Sequence, residues 1–121
     1  STFAILLATE DDMLMVQQLA KEAAGTGIRL VATVPRGHGE LCDQVRRALV
    51  SVVLITSEGL NRSGGDRRNL LGIARGSASE AAAGLGLMVD LGLVDAAAVA
   101  ELDAVLDRIR AMLFRLAQRA A

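Results

Sequence analysis

The chain has 121 residues, 52% of them apolar, with 13 basic against 14 acidic side chains and a net charge of −1. One domain around one aliphatic core is the expectation at this length, and near-neutrality excludes a polyanion binder that works by overall charge alone. A single cysteine, Cys42, excludes an internal disulfide and a cysteine-rich metal site, and Phe3 and Phe114 are the only rings available for stacking on bases.

The N-terminal third carries mixed signals. Phe3–Leu7 and Ile28–Val34 look strand-like by composition, whereas Thr9 and Asp12 have capping-box spacing ahead of a helical Met13–Ala24. Gly25 and Gly27 look like a break, and Pro35-Arg36-Gly37-His38-Gly39 is a loop. Residues 1–10 and 25–40 therefore stay open at this stage. In residues 40–58, Leu41, Val45, Ala48, Leu49, Val52 and Ile55 recur at helical spacing, yet LVSVVLI at 49–55 also suits a buried strand. NRSGGD at 61–66 is a turn, and Ser63 with Asp66 resembles a capping box.

The second half is plainer. Leu70, Ile73, Ala74, Ser77, Ala81, Leu85, Met88 and Leu91 form a helical stripe that Gly92 would end. Gly72, Gly76, Gly84 and Gly86 lie inside it. Each costs roughly 1 kcal/mol against alanine, which close helix–helix approach would offset. From Asp95, a good N-cap with Val94 and Val99 placed as a staple, the residues Val99, Leu102, Leu106, Ile109, Leu113 and Leu116 step by 3-4-3-4-3.

Two architectures compete. A β-α-β-α-β run over the first half would make a receiver-like module, with Glu10, Asp11 and Asp12 as an acidic metal cluster. Four helices at about 10–34, 39–59, 65–92 and 95–119 instead use every residue and need short connections, which favours antiparallel neighbours. The expected fold is all-α, an antiparallel up-and-down four-helix bundle forming one domain over residues 1–121. No apolar run is long enough to span a bilayer and no basic-then-apolar leader opens the chain, so the expected compartment is the cytoplasm.

Charge is unevenly spread. Residues 46–75 carry six arginines against Glu58 and Asp66, a local net of +4. Arg62, Arg67 and Arg68 flank the turn between the second and third helices, and their guanidinium forks match phosphate oxygens. The structural alternative is a set of solvated arginines paired with acids of a neighbouring helix or subunit. Glu58 is expected to pair with Arg75 and so tie helix two to helix three. His38 lies in a glycine-flanked loop and Cys42 is a packing residue. Neither HExxH, Glu-x-x-His, GxSxG nor a phosphate loop is present, so no catalytic residue, metal or cofactor is expected and the chain is taken as a non-enzyme.

Four pieces share one order and spacing: Gln44-Val45-Arg46-Arg47-Ala48; Ser57-Glu58-Gly59 with Asn61-Arg62; Ile73-Ala74-Arg75-Gly76-Ser77-Ala78-Ser79-Glu80; and Asp90-Leu91-Gly92-Leu93. Together they make residues 41–94 resemble the four-helix bundle family that includes the ribosomal-RNA intervening-sequence proteins and the accessory variability protein of diversity-generating retroelements. The resemblance implies an antiparallel bundle that assembles into a homo-oligomeric ring, often of five copies. It also implies RNA or DNA, or a reverse transcriptase, as partner, with Arg62, Arg67, Arg68 and Arg47 as the nucleic-acid contacts. A protein-interaction ring with no nucleic-acid role is the alternative. The near-neutral charge departs from the strongly basic RNA-binding members.

Overall fold

The computed structural model describes the backbone of residues 2–120 and the side chains of Thr2 and of residues 10–120. Four helices account for nearly all of it: α1 (Thr2–Val31), α2 (Gly39–Leu60), α3 (Gly64–Asp90) and α4 (Ala96–Gln118). No strand occurs among the described residues. Each helix packs on its sequence neighbour, and α4 closes the square on α1, which is the antiparallel up-and-down arrangement.

The N-terminal third corrects the sequence reading. Residues that looked strand-like at 3–7 and 28–31 are helical, and Thr9 lies inside α1 rather than capping a helix after it. Ala and Leu in the opening run are strong helix formers, so the helix simply continues through the capping-box spacing. Gly25 and Gly27 do not break it. Gly27 is buried, and a Cβ there would lie 2.5 Å from Leu49 Cδ1 and 3.3 Å from Leu102 Cδ2. The glycine is where α1 presses on α2 and α4 together.

The core is aliphatic, as composition required. In α3 the buried seam is Leu71, Ala74, Ala78, Ala81, Leu85 and Met88, and in α4 it is Val99, Leu102, Leu106, Ile109, Leu113 and Leu116. Both step by 3-4-3-4-3, the spacing of helices that pack at a shallow angle. The α3 seam therefore sits slightly round the helix from the stripe read in the sequence: Ile73 and Leu91 are exposed. Gly84 brings α3 close to α2, since a Cβ there would meet Val45 Cγ2 at 2.5 Å. Gly72, Gly76 and Gly86 have nothing within 4 Å and mediate no close approach.

Helix ends follow local chemistry. Asp95 caps α4 by accepting from the Ala98 N–H at 3.2 Å. Gly92, at φ +69°, ends α3, with Leu93 N–H donating to Met88 O and Gly92 N–H to Val89 O, both at 2.9 Å. That pair of bonds is the Schellman pattern. Ser63 stands at the N-cap of α3 but its side chain makes no capping bond, so the expected box with Asp66 does not form.

Candidate functional site

The three arginines at the α2–α3 turn are largely committed to the protein itself. Arg67 donates from Nε to Arg62 O and from Nη2 to Leu60 O, both at 2.8 Å. Its Nη1 lies 4.0 Å from Met13 Sδ. Leu60 O is one of the unpaired carbonyls that a helix C-terminus leaves behind, and Arg62 O belongs to the turn beyond it, so Arg67 caps α2 and braces the turn beside α1. Arg68 donates from Nη1 to Ala120 O at 3.0 Å, holding the end of α4. Arg62 stands 3.6 Å from Glu58 in an ion pair whose side chains are about half exposed (52% and 53%). Arg119 and Asp12 pair at 2.8 Å at the same end of the bundle, joining α4 to α1.

Arg47 is not part of this cluster. It precedes Arg62 by fifteen positions on or just after the same helix, a distance of about 22 Å at 1.5 Å per residue. The structure thus brings Arg62, Arg67 and Arg68 together and leaves Arg47 elsewhere on α2.

The expected Glu58–Arg75 pair does not form. Glu58 lies on the exposed side of α2, where the next turn presents Arg62 four residues on. Arg75 is half-buried and faces α4, with its Cζ 5.0 Å from the centroid of the Phe114 ring. A cation over an aromatic face contributes about 0.5–1 kcal/mol at such a partly exposed site.

Other candidates are scattered. His38 is at the N-cap of α2 without a side-chain bond, and Cys42 is a buried free thiol. Among the described residues, no group of three or more His, Cys, Asp or Glu is placed to hold a metal ion. Glu10, Asp11 and Asp12 follow one another along α1, and Asp12 is taken up by Arg119.

A second surface escaped the sequence reading. On the outer side of α2, Arg46, Arg47, Val50, Ser51, Leu54 and Ile55 line a shallow, wide-open and mostly apolar groove of about 470 Å³ walled by this one helix. Val50 is 41% exposed and Leu54 62%, although both are large aliphatic residues. Ser51 shares a 2.9 Å hydrogen bond with Ser77, which fastens this part of α2 to α3. The signal was present in LVSVVLI. A run apolar on both sides of a helix resembles a buried strand, and here Leu49 and Val52 face the core while Val50 and Leu54 face out.

Four antiparallel helices around a square aliphatic core place the molecule among up-and-down four-helix bundles. Within that class, the chain belongs to the 23S rRNA-intervening sequence protein family, whose model matches residues 12–115. The fold is similar to that of a protein of unknown function from the S23 ribosomal protein family of Bacteroides thetaiotaomicron. The TM-score is 0.80, over 88% of this chain and 98% of that one, at 17% identity. No curated protein matches the chain. Among the described residues, no helix is long and apolar enough to cross a membrane.

Proposed function

We propose that this chain is a non-catalytic helical bundle whose activity is exercised as a homo-oligomer, with the groove face of α2 buried between copies. The observation that carries this reading is the pair Val50 and Leu54, exposed side by side on a groove with little polar lining. Fully covering a valine or leucine side chain contributes roughly 1.5–3 kcal/mol, so each copy keeps an appreciable driving force unspent while it stands alone. Ile73, Leu87, Leu91 and Phe114 add further exposed apolar area on α3 and α4. A net charge of −1 opposes association of like copies very little. The ring implied by the family resemblance is consistent with this reading. Size-exclusion chromatography with light scattering tests it: an oligomer is expected, and a monomer at every concentration tested overturns it.

Nucleic-acid binding is the second reading, favoured by one observation. The Arg62–Glu58 pair is long and half-exposed, so a phosphate could displace the carboxylate at little cost. Arg68 is also exposed. The family's description by an intervening sequence of 23S rRNA gives this reading a chemical context. Labelled RNA and DNA should bind at about 50 mM salt and release steeply as salt rises. Changing Arg62 and Arg68 together to Ala should then lower affinity and salt slope, whereas no binding at low salt removes this reading.

A further inference from the structure

α2 and α3 lie antiparallel in a register that three contacts fix. Ser51 Oγ and Ser77 Oγ share a hydrogen bond of 2.9 Å. To one side of it Gly84 is pressed against Val45, and to the other Gly59 lies against Leu70, where a Cβ would stand 3.1 Å from Leu70 Cβ. A residue a few places beyond Ser51 is therefore level with one as many places before Ser77, to within about the 1.5 Å rise of one residue.

Steps of three and four keep a side chain on one side of a helix. Arg47 and Leu54 stand four before and three after Ser51, and Ile73 and Glu80 stand four before and three after Ser77. All four therefore flank the serine bond on the outer side of the helix pair. Leu54 is 62% exposed and Ile73 45%, and Arg47 and Glu80 are exposed as well. The register sets Leu54 level with Ile73, and Arg47 level with Glu80. One level of this face is aliphatic on both helices, and the level about 10 Å further along carries one cation and one anion. Among the described residues, neither Arg47 nor Glu80 has an ion-pair partner, whereas Arg46 is held by Asp43.

We propose that the surface seated on the α2 groove is the Ile73 and Glu80 line of α3 on a second copy, an inference that rests on the self-assembly reading. A rotation about an axis parallel to the helices leaves every residue at its own level. It brings α2 of one copy against α3 of the next in the register already set within the chain. Leu54 then meets Ile73 of the second copy, and Arg47 meets Glu80 of the second copy. Apolar side chains cover one another, and the free guanidinium faces the free carboxylate. Two-fold symmetry, the commonest closed arrangement, makes this contact twice at once. The face it covers is two helices wide, about 20 Å, and as long as α2, about 33 Å. That is roughly 650 Å² on each copy, at the lower end of what a specific interface buries.

The test reverses the charges. Arg47→Glu and Glu80→Arg both fall on exposed positions, and far-UV circular dichroism with urea midpoints checks that each variant folds. Light scattering over a dilution series should show an oligomer for the unmodified chain. Each single variant should need about tenfold more protein to assemble, because like charges then face each other between copies. The double variant keeps the net charge of −1 and should assemble like the unmodified chain. An equimolar mixture of the two single variants should assemble more strongly than either alone, because opposite charges then meet between copies while like charges remain within each chain. A monomeric unmodified chain overturns both the self-assembly reading and this inference. Single variants that assemble as well as the unmodified chain overturn the α2–α3 contact and leave self-assembly standing. Weakened single variants that neither the double change nor mixing restores show that Arg47 and Glu80 are not partners. Recovery in the double variant without recovery in the mixture places their coupling within one chain, which also overturns the contact.

Discussion

Replacing Arg67 with Ala separates a structural arginine from a ligand-binding one. The side chain makes two hydrogen bonds to Arg62 O and Leu60 O, both at 2.8 Å, and is half-buried. Hydrogen bonds involving a charged partner contribute about 1.5–3 kcal/mol when fully shielded. Here the freed carbonyls end a surface helix and can turn to water, so the pair together should contribute about 1.5 kcal/mol rather than the full sum. In a chain of this size that lowers the thermal midpoint by roughly 5–7 °C. Arg67→Lys should recover about half, because an ammonium on a flexible stem is not shaped to hold two carbonyls as the guanidinium fork does. Arg62→Ala is the control: its exposed pair with Glu58 predicts a change within about 0.3 kcal/mol. Urea denaturation of the three variants is the assay. If Arg67→Ala is as stable as Arg62→Ala, the capping account is wrong and Arg67 returns to the pool of free cations. If the account holds, weak RNA binding by an Arg67 variant says nothing by itself about phosphate contact.

Four further substitutions test the packing and the capping. Thr56→Val should stabilise the chain by about 1 kcal/mol in urea, because Thr56 Oγ1 is buried without a partner and valine keeps its shape; a loss of stability would mean that an ordered water satisfies the hydroxyl. Gly76→Ala should raise stability by about 0.5–1 kcal/mol, since helix propensity improves and nothing lies within 4 Å. Gly84→Ala should lower it by about 1 kcal/mol, since crowding against Val45 outweighs the same propensity gain; equal effects at the two glycines would refute the distinction. Asp95→Ala should cost about 1 kcal/mol by removing the α4 cap, with Asp95→Asn retaining most of it.

The legible parts of the fold were those where one local signal met one structural demand. Asp95, the 3-4-3-4-3 seam and Gly92 specified α4 and the end of α3 because cap, periodicity and stop agreed there. Thr9, Gly25 and Gly27 misled because their usual local meaning was overridden. Gly27 is required by the approach of Leu49 and Leu102, neither of which is near it in sequence. The arginines at the turn were found by composition, but their engagement with Leu60 O, Arg62 O and Ala120 O depends on how the chain folds back, which spacing does not reveal. Glu58 illustrates the same limit. Its i+4 partner Arg62 was visible in the sequence, yet a cross-helix partner was expected because the end of α2 looked uniformly apolar.

Arg47 is where the two functional readings meet. As a phosphate contact it is remote from the turn, about 22 Å along α2 from Arg62, and its neighbour Arg46 is taken up by Asp43, so it adds little to a salt-dependent footprint centred on the turn. On the rim of the apolar face of α2 it sits beside Arg46 and next to Val50 and Leu54, where a second copy would cover it. Covering that face would hide cationic charge that a polyanion would otherwise see, so assembly through it and nucleic-acid binding through Arg47 exclude one another. Binding through Arg62 and Arg68 carries no such conflict, because those residues lie at the far end of the helix. A nucleic-acid role compatible with such assembly therefore belongs to the α2–α3 turn, where Arg62 and Arg68 stay clear of the α2 face.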